Sequence, residues 1–116
     1  MRRAIAELAL ALGLAGSSVV PASAASELDR GPTRDRARAV VCHVFGPYCA
    51  PALRVAWCES RFDVWARNGQ YLGLFQMGAR ERARYGDGLG PWNQARAALR
   101  YFRASGYDWS PWACKP

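Results

Sequence analysis

"VAWCESRFD", Val55 to Asp63, sets one glutamate between a cysteine and a serine at the end of an apolar run. Pro51 suits a first helical position, and Ala52, Val55 and Ala56 recur at the spacing of one helix face. The i+7 place on that stripe falls on Glu59, so the pattern turns this carboxylate inward. Burial raises the pKa of a carboxylic acid because the charged form is the one that loses hydration. An acid tuned toward about 6 stays protonated and can hand its proton to a leaving oxygen. The competing reading is a structural ion pair between Glu59 and a nearby arginine, Arg61 or Arg67.

Outward from this stretch the same periodicity marks the other elements. From Thr33, the residues Ala37, Val40, Val41 and Val44 form an earlier helical stripe, which Gly46-Pro47 terminates. Downstream, "WARNGQYLGLFQM" carries Asn68-Gly69 ahead of aromatic and apolar residues and reads as a short hairpin. A third, strongly basic helix covers "ARERARY" and ends at Gly86, with charged exposed faces. After the loop "GDGLGP" a fourth begins near Pro91, with Trp92, Ala95, Leu99 and Phe102 on one side and Gly106 at its stop. The expected class is α+β, mainly α, with one small β-hairpin between helices two and three. The glutamate at the end of helix two then looks toward that hairpin.

A chain of 116 residues with 51% hydrophobic content and five Trp is one packed domain. Residues 1–24 read as a signal peptide: Arg2-Arg3, an apolar run from Leu8 to Ala15 too short to span a bilayer, and a small-residue end at Ala22-Ser23-Ala24. Residues 25–32 are polar, carry Gly31-Pro32 and read as a flexible leader, leaving residues 33–116 as the folded domain. No other segment reads as apolar enough to cross a membrane, so no stable membrane insertion of the mature form is expected. Arg2, Arg3 and Glu7 leave with the signal, which takes the net charge from +7 to +6. Cys42, Cys49, Cys58 and Cys114 are an even number in an exported chain and read as two disulfides. Three pairings are open, although Cys42 and Cys49 flank the Gly46-Pro47 turn. A zinc site would draw on these cysteines and His43 without any C-x-x-C pair, so no metal is expected. Export without a nucleic-acid-binding motif also argues against nucleic acid as the partner of the basic charge; an anionic cell wall fits it better.

In this order, "CESRFD" followed by "ARNGQYLGLFQMG" resembles the lysozyme-like superfamily of peptidoglycan-cleaving enzymes, in particular the soluble lytic transglycosylases. The cysteine before the glutamate, the small size and the late Trp-rich cysteine are similar to the resuscitation-promoting-factor type of cell-wall glycosidase. The resemblance runs from Val44 to Cys114, and its more specific part is Gly-Leu-Phe-Gln beginning fourteen residues past the glutamate. It implies a lysozyme-like catalytic domain in which Glu59 is the acid and base and Ser60 helps fix its setting. It further implies that Gly73 and Gln76 line the sugar groove, the glycine by letting a sugar approach the backbone and the glutamine by offering donor and acceptor. It also implies that Cys58 pairs with Cys114, which leaves Cys42 with Cys49. Tyr71 and Phe75, with Trp92, Trp109 and Trp112, could present flat faces to pyranose rings, although a large aromatic is more often a core residue.

Two positions depart from the family pattern. Tyr71 stands where animal-type lysozymes place an aspartate, so the second carboxylate of a two-acid hydrolase is missing there; Asp63, Asp87 and Asp108 are the conceivable substitutes. The Ala-Tyr-Asn motif of the larger transglycosylases is absent, and Tyr101 is a weak substitute for its tyrosine. The implied activity is a secreted, monomeric enzyme acting without cofactor on peptidoglycan glycan strands, in the cell wall or outside the cell. It would cut the β-1,4 bond between N-acetylmuramic acid and N-acetylglucosamine. With one acid, the expected route is lytic transglycosylation: Glu59 protonates the bridging oxygen, the acetamido group supports the cationic centre, and the C6 hydroxyl closes an anhydro ring. A hydrolytic muramidase and a non-catalytic peptidoglycan-binding module are the alternatives.

Overall fold

The computed structural model describes residues 22–116, with side chains from residue 33. The expected signal peptide lies outside the described residues except for 22–24. The chain is mainly helical with one two-stranded antiparallel sheet. Helix α1 spans Ala22–Phe45, a 3-10 turn Gly46–Tyr48, and α2 Cys49–Ser60. Strands β1 (Arg67–Asn68) and β2 (Tyr71–Leu72) form the hairpin. Helices α3 (Ala79–Tyr85) and α4 (Pro91–Ala104) follow.

Helix α1 begins ahead of the Thr33 boundary that the apolar pattern marks, so residues 25–32, read as a flexible leader, have helical backbone. Alanine, serine, glutamate and leucine upstream of Gly31 are compatible with helix, whereas the pattern registers only the part that packs. That part is Ala37, Val40, Val41 and Phe45, all buried. The chain then turns at Gly46, which takes a positive φ of 56° ahead of Pro47. The Cys42–Cys49 disulfide closes this turn. Pro51 falls in the first turn of α2 rather than at its first position, which costs nothing because the amides there have no intrahelical acceptor. One expectation about membranes is corrected. The helical run Thr33–Ser60 is long and apolar enough to cross a bilayer by length and composition. It is bent at Gly46–Tyr48, and its apolar faces are used in the core.

The hairpin pairs Arg67 with Leu72 and Asn68 with Tyr71, leaving Gly69-Gln70 as a two-residue loop. Gly69 alone of the two has a positive φ, 62°, at the first loop position that favours glycine. Helix α3 buries no residue, in keeping with its charged sequence. On α4 the buried face is Ala95, Ala97, Ala98 and Phe102. It is rotated from the expected one: Leu99 only flanks the core, and Trp92 is 36% exposed and meets His43 edge-on at 5.4 Å. Three alanines bring α4 close to α1, and the large side chains come from the ends of elements instead.

Those large side chains form an aromatic centre. Trp109 stacks on Phe45 at 5.6 Å and meets Phe102 at 4.4 Å, and Trp112 lies 5.2 Å from Trp109. The C-terminal tail therefore belongs to the core, and the Cys58–Cys114 disulfide fastens its end to α2. Both disulfides are those the family resemblance implied. In the chain-entropy picture, closing 56 positions stabilises by about 4 kcal/mol and closing 7 by about 2.5 kcal/mol. Removal of Cys58–Cys114 by paired serine substitution is thus expected to lower the melting temperature more than removal of Cys42–Cys49, measured by circular dichroism on matched samples.

Candidate active site

The end of α2 is tied to the segment after the hairpin by one hydroxyl. Ser60, buried, donates from Oγ to the Leu74 carbonyl at 2.8 Å, with the Ala56 carbonyl at 3.0 Å. The apolar stripe of α2 therefore runs Ala52, Val55, Ala56, Ser60, and Glu59 stands at its edge. Glu59 is half-buried, not enclosed as the i+7 spacing suggested, because 3.6 residues per turn carry the stripe on to the eighth position. Its Oε2 accepts the Cys114 backbone N–H at 3.1 Å. Neither arginine considered for an ion pair provides one. Arg61 lies over the Trp57 ring at 4.7 Å and donates to the Trp57 carbonyl, and among the described residues Glu59 has no cationic partner.

Glu59 forms part of the wall of a cleft of 320 Å³. The hairpin side contributes Asn68, Tyr71 and Gln76; α3 and the residue before it contribute Glu81 and Gly78. Tyr101 of α4 and Trp112 of the tail complete the polar and aromatic lining. Of the residues singled out in the sequence, Glu59, Tyr71, Gln76, Tyr101 and Trp112 thus line one cleft. Tyr71 is 45% exposed, an open ring face at the cleft. Gln76 sits in a left-handed conformation, φ 46°, and its Nε2 donates to the Ala66 and Gly73 carbonyls, both at 3.0 Å. Its Oε1 accepts no hydrogen bond among the described residues.

Other residues expected in the groove are elsewhere. Phe75 is 1% exposed and belongs to the core, where Trp112 Nε1 donates to its carbonyl at 3.0 Å. Ser60 lies behind the wall. Gly73 is closed to a sugar: with φ 86°, its open side is occupied by the Gln94 amide, and a Cβ there would stand 2.5 Å from Gln94 Oε1. That amide accepts from Leu74 N–H at 2.8 Å and donates to the Val64 carbonyl at 3.0 Å, fastening the segment to α4. Trp109 is core and Trp92 faces away. Asp63, Asp87 and Asp108 are also outside the cleft, engaged with Trp65 N–H, Arg82 and Ser110 N–H respectively.

Sequence reading missed Glu81, Asn68 and Gln94 and undervalued Tyr101. Glu81 was hidden in a basic helix; its one signal is its place in the first turn, three residues after Gly78. Burial above all, then the charge of Glu81 and the neighbouring Tyr85, pushes the Tyr101 phenol above its ordinary pKa. It therefore remains a neutral hydroxyl, able to donate to a ligand oxygen across the physiological range. Among the described residues no group of three His, Cys, Asp or Glu is placed to hold a metal ion. No protein-family model, curated protein or solved structure matches the chain.

The Gly73–Gln94 contact leads to a stability test. Gly73→Ala forces the Gln94 amide away and strains a left-handed backbone, at a cost of about 2 kcal/mol or more. Urea unfolding should register this as a lower midpoint with an unchanged slope; an unchanged midpoint would contradict the contact.

Proposed function

We propose that this chain is a lysozyme-like peptidoglycan glycosidase, cutting the β-1,4 bond between N-acetylmuramic acid and N-acetylglucosamine with Glu59 as the general acid. The observation that carries this reading is the setting of Glu59: half-buried, in the wall of an aromatic and amide-lined cleft, with one carboxylate oxygen held by the Cys114 amide. That bond orients the group and leaves Oε1 to present a proton to a bridging oxygen. Tyr71 offers a ring face to a pyranose unit, while Gln76 Oε1, Asn68 and the Tyr101 hydroxyl can pair with acetamido and hydroxyl groups. The two disulfides are consistent with export, and the net positive charge of the mature chain suits an anionic wall.

Two fates are open to the cationic sugar once the bond breaks. Capture by its own C6 hydroxyl gives a 1,6-anhydro end, the lytic transglycosylase route that a single acid supports through effective concentration. Capture by water gives a hydrolysed end, and this muramidase reading is favoured by one specific feature, the second carboxylate Glu81 in the same cleft. A purely saccharide-binding module would have no use for an oriented acid.

Glu59→Gln keeps the shape of the side chain and removes the acidic proton. Turnover of purified peptidoglycan should fall at least a hundredfold, while saccharide binding by calorimetry and the melting temperature change little. Turnover within tenfold of the parent would reject Glu59 as the acid.

A further inference from the structure

Glu81 has no hydrogen-bond or ion-pair partner among the described residues to explain its position. It is half-buried in the first turn of α3 and folds back over Gly78, where a Cβ would lie 2.7 Å from Glu81 Oε1. An acid at such a position ordinarily accepts a free backbone amide or meets a cation. Here the Ala79 amide is taken by Gln70 Oε1 at 3.1 Å. The adjacent Arg82 is also engaged, giving Nε to Asp87 at 2.8 Å and Nη1 to the Gln70 and Met77 carbonyls at 2.6 Å. Among the described residues Glu81 accepts no hydrogen bond and forms no ion pair, in a chain with 16 Lys and Arg. An unengaged carboxylate amid so many cations, turned toward a cleft, is available to a solvent molecule or a ligand.

The two cleft acids also belong to different walls of the cleft. Glu59 is anchored at the tail end by the Cys114 amide; Glu81 lies by Gly78 and within electrostatic reach of Tyr101. They come from different elements and share no hydrogen bond. A glycosidase acting by single displacement needs two such carboxylates, one as the acid on the leaving oxygen and one as the base for a water.

Resting on the reading of the cleft as a glycosidase site, we infer that Glu81 is the catalytic base that activates water, so that cleavage is hydrolytic and inverts the anomeric carbon. Glu59 gives its proton to the bridging oxygen, and the bond from that oxygen to C1 of N-acetylmuramic acid breaks. A water oxygen bonds to C1 from the opposite face as its proton passes to the Glu81 carboxylate. One water is consumed; the products are an α-hemiacetal end and a free 4-hydroxyl, and exchange with solvent returns the proton from Glu81 to Glu59. Where the base is lost, the C6 hydroxyl is the remaining nucleophile.

The test compares the full oxidised chain with its Glu59→Gln, Glu81→Gln and Glu81→Ala variants on purified glycan strands, with end groups read by mass spectrometry and thermal melts as a control of folding. The parent should leave hydrated ends, with oxygen-18 from labelled water at C1. Glu81→Gln should turn over at least a hundredfold more slowly and shift the residual product to anhydro ends. Azide should restore Glu81→Ala at least tenfold and yield an α-glycosyl azide, an outcome that a merely structural glutamate would not produce and that decides the matter if Glu81→Gln is poorly folded. Glu81→Gln within threefold of the parent with the same ends, exclusively anhydro ends from the parent, or no azide product would overturn the inference while leaving an inactive Glu59→Gln, and so the glycosidase reading, intact. Absence of cleavage by the parent, or full activity of Glu59→Gln, would overturn that reading and the inference with it.

Discussion

The fastening of the C-terminal tail to α2 is the constraint on which the cleft depends. Three attachments act within six residues. Trp109 and Trp112 fill the aromatic centre, the Trp112 indole N–H is satisfied by the Phe75 carbonyl, and Cys114 is bonded covalently to Cys58. The same cysteine then supplies the backbone amide that holds Glu59. A short tail without regular structure would ordinarily fray. Here its order is imposed by a cross-link next to the glutamate, so the covalent staple and the orientation of the acid are one arrangement. The aromatic edge of Trp112 and the backbone around Pro111 and Ala113 become cleft wall as a result.

How much of this was readable beforehand depends on the range of the interaction. Helix stops at Gly86 and Gly106, the start at Pro91 and the hairpin after Arg67 are local, and backbone preference alone marks them. The inward face of α4 is not legible from periodicity because its packing partner sets the rotation: Ala97 and Ala98 admit α1 closely, whereas the bulky Trp92 lies on the more exposed side. Gly73 illustrates the same limit at the site. A glycine in a groove motif is equally well explained by a ligand or by a neighbouring side chain, and the neighbour is Gln94, a residue of a different helix. Glu81 was unreadable as a cleft residue for a related reason. Among the arginines of "ARERARY" it has the composition of a solvated helix face, and only the fold shows that Asp87 and two carbonyls occupy Arg82 instead. The catalytic candidate Glu59 was legible because its signal is short-range, one carboxylate at the end of an apolar helix.

Backbone strain collects on both sides of this glutamate. Arg61 and Phe62, which follow α2, have φ of 55° and 61°, and Gln76 has 46°. Each non-glycine residue in this region costs of order 1–3 kcal/mol and persists only where its surroundings over-determine it. The means are visible for all three. The Arg61 amide bonds back to Trp57, the Phe62 ring is buried, and the Asp63 amide reaches the Ser60 carbonyl; Gln76 is fixed by its own side-chain amide to two carbonyls. Ser60 and Gln94 then join these two strained turns to each other and to α4. A site meant only to hold a polymer loosely would gain nothing from such rigidity. Under the glycosidase proposal, turns that keep an acid and its cleft fixed in relation to a scissile bond would spare the reorganisation energy that a floppy site spends at every turnover.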